Sequence, residues 1–387
     1  MSADRAPDMA MVTLALDRLG PGCKFRSLIA SNPETEMPLV TTTIGAYPKP
    51  DYLDVPDWFK SAGGPNTDDP TTAYTEYMRN AGDETEALLD RAVREVIADQ
   101  VDAGIDIPTD GEVRRDNYIH YHCRFLKGFD FDDLTSKRMR TGAWTAQVPT
   151  IRGAIAAGAP FLADEWRMAQ ACTDRPVKVT VPGPMTITDS VADDFYHDEH
   201  RVGVALAEAL NKEIRSLAEA GCRWIQIDEP LFARWPDKAL AYGMDNLDRC
   251  FHKVPKETTR AMHMCCGYPE KLDQENYLKA DRSSYFTLAD ALNDTSIEAV
   301  SIEDAHQHND LTLLEHFKKI KVIFGAVSIA QSRIEPVEEI HDRLSAALDH
   351  IDSHRLIAAP DCGLGMQSRE AARAKLTNLC IAARAVG

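Results

Sequence analysis

The sequence predicts a parallel (β/α)8 barrel, the TIM-barrel class of α/β fold. Three observations carry that expectation. Eight short runs rich in apolar and β-branched residues recur along the chain, helix-like segments separate them, and polar or special residues stand at or just past their ends. In such barrels the loops after the C-terminal strand ends build the active face, so the third observation also marks where chemistry should sit. A length of 387 residues suits one barrel with additions, and no linker or shift in composition divides the chain.

Residues 1–38 read as an N-terminal extension, with helix-like apolar spacing from Met9 to Leu19 that breaks at Gly20-Pro21-Gly22. The barrel occupies 39–387. Its first run, Leu39-Val40-Thr41-Thr42-Thr43-Ile44, closes on Gly45-Ala46-Tyr47-Pro48 and is followed by a helix over about 84–103 that stops at Gly104. The second run, Ile105-Asp106-Ile107-Pro108-Thr109, leads into Asp110-Gly111-Glu112. Irregular sequence with several glycines over about 124–167 predicts an insertion capping one end of the barrel, with a hairpin near 148–155. The third run, Val177-Lys178-Val179-Thr180-Val181, ends in Pro182-Gly183-Pro184 and precedes a helix over about 198–220. The fourth, Arg223-Trp224-Ile225-Gln226-Ile227, ends in Asp228-Glu229-Pro230, and the fifth runs into His263-Met264-Cys265-Cys266. The sixth is Ala299-Val300-Ser301-Ile302-Glu303, the seventh Val322-Ile323-Phe324-Gly325-Ala326-Val327, and the eighth, Leu356-Ile357-Ala358-Ala359, ends in Asp361-Cys362-Gly363.

Composition narrows the function classes. A formal net charge of -18 argues against nucleic acid or an anionic membrane surface as partner, because both demand a cationic face. No apolar run approaches the roughly 18 residues of a membrane span, and Met1-Ser2-Ala3-Asp4-Arg5-Ala6-Pro7 has no secretory pattern, so a cytoplasmic location is expected. Nine cysteines, odd in number and scattered without a framework, fit reduced thiols.

The fifth run carries the sharpest chemical signal. Side chains alternate along a strand, so His263 and Cys265 share a face while Cys266 turns to the other. One imidazole and one thiol make half of a tetrahedral zinc site. Glu303 and Cys362, at two later strand ends, offer the other half, giving His263, Cys265, Glu303 and Cys362 as the expected Zn2+ ligands. A lone His-x-Cys is commonly a packed histidine beside an inert thiol. Here the candidates converge from three strand ends rather than from a close Cys-x-x-Cys, which suits a catalytic metal at a barrel mouth.

From about Thr41 onward the chain resembles the catalytic C-terminal barrel of the cobalamin-independent methionine synthase family. The motifs, in the family's order, are Thr41-Thr42-Thr43-Ile44-Gly45, Asp110-Gly111-Glu112-Val113-Arg114-Arg115-Asp116, Gly183-Pro184-Met185-Thr186-Ile187, Ile225-Gln226-Ile227-Asp228-Glu229-Pro230, His263-Met264-Cys265, Ser301-Ile302-Glu303 and Pro360-Asp361-Cys362-Gly363-Leu364. It is similar to the single-barrel members, without the second barrel that precedes this one in the full-length plant and bacterial enzymes. The resemblance implies the same four zinc ligands and implies that Glu112 and Asp228 hold the ammonium group of homocysteine. It also places Gly45 and Ala46 at the substrate. The family's serine is Ala46 here, which removes a hydroxyl that would help hold the amino acid's carboxylate. The implied reaction is methyl transfer to the homocysteine thiol, giving methionine, with zinc generating the nucleophile.

Two departures fall on the methyl donor's side. Folate-using members carry a tryptophan shortly after Gly-Pro-x-Thr-Ile and an Asp-x-His after the seventh strand. This sequence has Thr188-Asp189-Ser190-Val191 and Ser328-Ile329-Ala330 there. A tertiary amine must be protonated before it can leave, so losing the acid matters chemically. The departures point to a corrinoid protein, methylcobalamin or another activated methyl as donor, or to folate handled by other residues. Two other readings compete: a zinc-dependent transferase for a different thiol, such as the epoxyalkane:coenzyme M transferases, and a non-catalytic zinc or thiol sensor. Glu229 is expected to pair with an arginine in the barrel wall. His120, His122, His306 and His308 are candidates for outer partners of the metal ligands.

Overall fold

The computed structural model describes residues 38–59, 70–139, 144–274 and 276–386, so the N-terminal extension expected over 1–38 lies outside the described residues except for its last position. The strands, in chain order, are β1 (Val40–Thr41), β2 (Leu126–Met139), β3 (Trp144–Ala157), β4 (Lys178–Pro182), β5 (Ala192–Asp193), β6 (Trp224–Asp228), β7 (Thr259–Met264), β8 (Ala299–Ile302), β9 (Lys321–Val327) and β10 (Leu356–Pro360).

Local chemistry explains where the helices begin and end. In Asp83–Ala103 three acidic residues, Asp83, Glu84 and Glu86, sit on the first turn, where the helix dipole favours negative charge. Leu89, Val93, Val96 and Ile97 recur at helical spacing on its buried face, and Gly104 closes it in the left-handed region at φ 106°. Helix Glu199–Ala220 starts on Asp198, whose carboxylate accepts from the N–H groups of His200 and Arg201, and it ends on Gly221 in the same manner.

One parallel sheet runs β1-β10-β9-β8-β7-β6-β4. It closes through two isolated parallel bridges, Thr42 to Ile107 and Thr109 to Lys178, which supply the missing eighth position between β1 and β4. The second strand expected from the sequence is thus present only as bridges. Pro108 has no N–H and interrupts the ladder, although its carbonyl still accepts from Lys178 N at 2.8 Å. The result is the (β/α)8 architecture, with helices packed on the outward faces of the strands.

The two halves of the barrel interior differ. Ile44, Ala261, Ala299, Ile323, Ile357 and Ala359 fill one side as a small apolar cluster. Lys178, Thr180 and Gln226, all buried, occupy the other.

Within 124–167 the chain forms a long antiparallel hairpin, β2 with β3, extended by β5 into a separate three-stranded sheet. The hairpin expected near 148–155 is instead continuous strand, and its partner lies upstream in β2. The glycines that suggested a turn mark a close crossing: a Cβ on Gly128 would lie 2.7 Å from the carbonyl oxygen of Gly153. No helix among the described residues is long and apolar enough to cross a membrane.

Candidate active site

The C-terminal strand ends surround one cavity of about 150 Å³. It is lined by Gly45, Ala46, Glu112, Asp228, His263, Cys265 and Cys362, together with Trp58, Phe59, Tyr118 and Tyr268. Seven of the eight residues expected at the site therefore share one space, and Glu303 stands just outside that lining.

The strand geometry of β7 presents His263 and Cys265 on the inner face, both buried. Cys362 follows β10, and its sulfur lies 3.3 Å from His263 Nε2. The ligand atoms of His263, Cys265 and Cys362 all lie within 4.8 Å of one another, close enough to share one ion. Ser301 Oγ is 2.9 Å from His263 Nδ1, which fixes the ring and turns Nε2 toward the sulfurs. None of the four histidines considered as outer partners takes that place. A hydrogen bond from Cys362 drives the Cys265 thiol well below its ordinary pKa, helped by His263 alongside. Cys266, on the other face, is inert by contrast: burial pushes its thiol up to about 12.

Glu303 ends β8 but is not a member of that close group. Its Oε1 accepts from Cys266 N at 2.9 Å and from Gly267 N at 3.3 Å, and its Oε2 is paired with Lys279. Asp361 braces the same region by accepting from the N–H groups of Asp304, Ala305 and His306, which locks the β8 end to the residue before Cys362.

Two carboxylates also line the cavity, Asp228 next to His263 as its register partner on the neighbouring strand, and Glu112 after the second run. Glu112 follows a tight turn with Gly111, and its own φ is 56°, a left-handed conformation that costs a non-glycine residue free energy. Its Oε1 accepts from Thr180 Oγ1 at 2.7 Å, and Gly45 leaves it room, since a Cβ there would lie 2.6 Å from that oxygen. Asp228 ends β6 and accepts from Gln226 Nε2 at 2.7 Å. Burial pushes its carboxyl up to about 7; His263 opposes the rise and Glu112 adds to it. Burial likewise raises Glu112, with Arg115 acting against it.

Among the described residues Glu229 has no arginine partner. It accepts from Met185 N, Thr186 N and Thr186 Oγ1, at 2.9, 3.0 and 2.7 Å, and so caps helix Pro184–Ser190. Orphan N–H groups at a helix start bind a carboxylate as well as a guanidinium would.

The aromatic wall is the part of the site that strand-end reasoning misses. Trp58 packs on Phe59 and Tyr118 with ring centroids 5.5 and 5.7 Å away, and Phe59 packs on Tyr268 at 5.6 Å. Trp58 and Phe59 come from the loop after β1, remote from the position where the family's tryptophan stands. Adjacent aromatics in a proline-rich stretch after a strand end were the available signal.

A cavity at a barrel mouth that joins a His/Cys/Cys cluster able to share one metal ion to two buried carboxylates has the setting of a barrel enzyme's active site. Residues 63–385 match the family model described as the cobalamin-independent synthase catalytic domain, and the chain belongs to that family. It is a thiol S-methyltransferase of the methionine synthase kind. A methionine synthase of Saccharolobus solfataricus is 28% identical over 351 residues, covering 89% of this chain and 94% of the relative. One from Thermococcus kodakarensis is 28% identical over 352 residues, covering 89% and 92%. Among solved structures, a B12-independent methionine synthase from Shewanella sp. W3-18-1 in complex with selenomethionine superposes with a TM-score of 0.78 at 28% identity, covering 89% of this chain and 97% of that one.

Proposed function

We propose that this enzyme methylates the sulfur of homocysteine to give methionine, in the cytoplasm, with zinc held by His263, Cys265 and Cys362 and with Glu303 as the fourth ligand. The observation that supports this reading is the shared cavity, whose lining brings His263, Cys265 and Cys362, whose donor atoms could share one metal ion, together with Glu112 and Asp228. The donor set fits zinc, because two sulfurs, an imidazole and a carboxylate are the ligands a borderline-soft dication takes. Bound zinc would supply a deprotonated, nucleophilic substrate sulfur at neutral pH.

The chain's own residues do the rest. Ser301 holds the His263 ring through Nδ1. Glu112 and Asp228 receive the acceptor's ammonium through charge-assisted hydrogen bonds, which orients the sulfur toward the cluster. The aromatic wall keeps water away from the reacting pair.

The donor inferred is a methylated corrinoid or another activated methyl rather than methyltetrahydrofolate. Ser328, Ile329 and Ala330, at the family's acid position, are buried and contribute nothing to the cavity lining. His120 does line it, but Thr71 Oγ1 and Ser190 O take its two ring nitrogens at 2.8 and 3.1 Å, and burial pushes its pKa down to about 4. At neutral pH it is uncharged and poorly placed to protonate a leaving amine.

Methyl transfer to homocysteine by zinc-loaded protein, run in parallel with methylcobalamin and with methyltetrahydrofolate, tests this. Methionine from methylcobalamin alone is expected. Efficient use of methyltetrahydrofolate would overturn the donor reading, and product only with coenzyme M as acceptor would overturn the acceptor.

A further inference from the structure

Beneath each carboxylate that faces the cavity lies a buried basic side chain that reaches it through one neutral side chain and, for Arg115, also directly, its Nη1 standing 3.5 Å from Glu112 Oε1. Lys178 points into the barrel from β4, fully buried, and its Nζ donates to Gln226 Oε1 at 2.6 Å. The amide nitrogen of Gln226 donates to Asp228 Oδ1 at 2.7 Å and to the Ile44 carbonyl at 2.9 Å. Both amide protons are committed, so Gln226 must show its oxygen to Lys178.

The second arrangement repeats the first. Arg115 is 2% exposed, and its Nη1 donates to Thr180 Oγ1 at 2.8 Å and to the Thr180 carbonyl at 3.1 Å. An arginine can only donate and a hydroxyl has one proton, so the Thr180 proton goes to Glu112 Oε1. Thr180 and Gln226 are register partners across β4 and β6, which sets the two arrangements side by side.

As staples for the barrel these basic side chains are poor choices, and burial pushes Lys178 down to about 7. Burying a charge costs free energy unless its hydrogen bonds are met. Lys178 Nζ has Gln226 as its hydrogen-bond acceptor among the described residues. Arg115 leaves Nε and Nη2 without a hydrogen bond there, Asp110 being 3.8 Å away. What both accomplish is to turn a neutral donor toward a carboxylate at the mouth.

We propose that Lys178 and Arg115 are positioning residues for the acceptor's ammonium group, Lys178 acting through Gln226 to aim Asp228 and Arg115 acting through Thr180 and its own ion pair to aim Glu112, which makes the site selective for an aminated thiol. This rests on the reading of Glu112 and Asp228 as the ammonium-binding pair.

The test is calorimetric titration of the zinc-loaded protein with homocysteine and with 4-mercaptobutyrate, which is the same thiol without its amino group. Wild type should bind homocysteine more tightly by on the order of tenfold or more. Lys178→Met and, separately, the nearly isosteric Thr180→Val should each cut that ratio by about tenfold, with zinc content checked by atomic absorption. If both thiols weaken together and the ratio survives in each variant, the residues are merely structural and the inference is wrong. A wild type without any preference would instead sink the ammonium reading itself. Thr180→Val carries the test alone should Lys178→Met fail to fold.

Discussion

On one side of the cavity β7 and β10 bring an imidazole and two sulfurs within 4.8 Å of one another, with a single serine as outer support. On the other, which begins at the very next strand, the turn at Gly111 and the end of β6 bring two carboxylates, each backed by a neutral donor and a buried basic side chain. The contrast follows from chemistry. Soft ligands are weakly solvated and tolerate a dry wall, whereas carboxylates resist leaving water and must be propped up from below. On the proposed reading the first group meets the sulfur of a bifunctional acceptor and the second its amino end, and Asp228, in register with His263, keeps the two ends close.

Substitutions that disable one side alone would sharpen this contrast, and substitutions that disable both would break it. The largest effect is expected from Cys362→Ser. Loss of a sulfur ligand should lower zinc affinity by more than the roughly 10–100-fold typical of losing an outer partner. Competition against a chromogenic chelator measures it, and wild-type affinity in the variant would remove the metal from this side. Next comes Asp228→Asn, which should raise the KM for homocysteine about 10–100-fold, as expected for a hydrogen bond to a charged group. Zinc content should stay at the wild-type level; zinc lost along with binding would mean the two sides are not independent. The smallest is a gain. Ala46→Ser restores a hydroxyl at the mouth and should lower that KM by about two- to tenfold in steady-state assays.

The two sides were also unequally legible in the sequence. Strand alternation was enough to put His263 and Cys265 on one face, because β7 is regular up to Met264. The place of Glu303 was harder to foresee, since its oxygens are governed by Lys279 and by the N–H groups of Cys266 and Gly267, in a segment with no periodicity. Glu112 and Asp228 stood out only through family motifs, because a lone carboxylate at a strand end looks like any loop cap. Trp58 and Phe59 lie in an irregular loop whose path no local pattern dictates. At the level of the fold, seven strands were readable from their apolar runs. The eighth was reduced to two bridges by Pro108, and the hairpin's register was hidden because paired glycines mimic a turn.

The hairpin formed by β2 and β3 belongs to a different sheet from the strands that carry the ligands, yet Met139 and Val148 from it reach the cavity. Roof and floor nonetheless share one apolar core, which Ile151 and Ile155 of the ribbon enter. Substitutions at Met139 or Val148 can therefore recut the cavity's upper wall without altering a strand end that carries His263, Cys265 or Cys362.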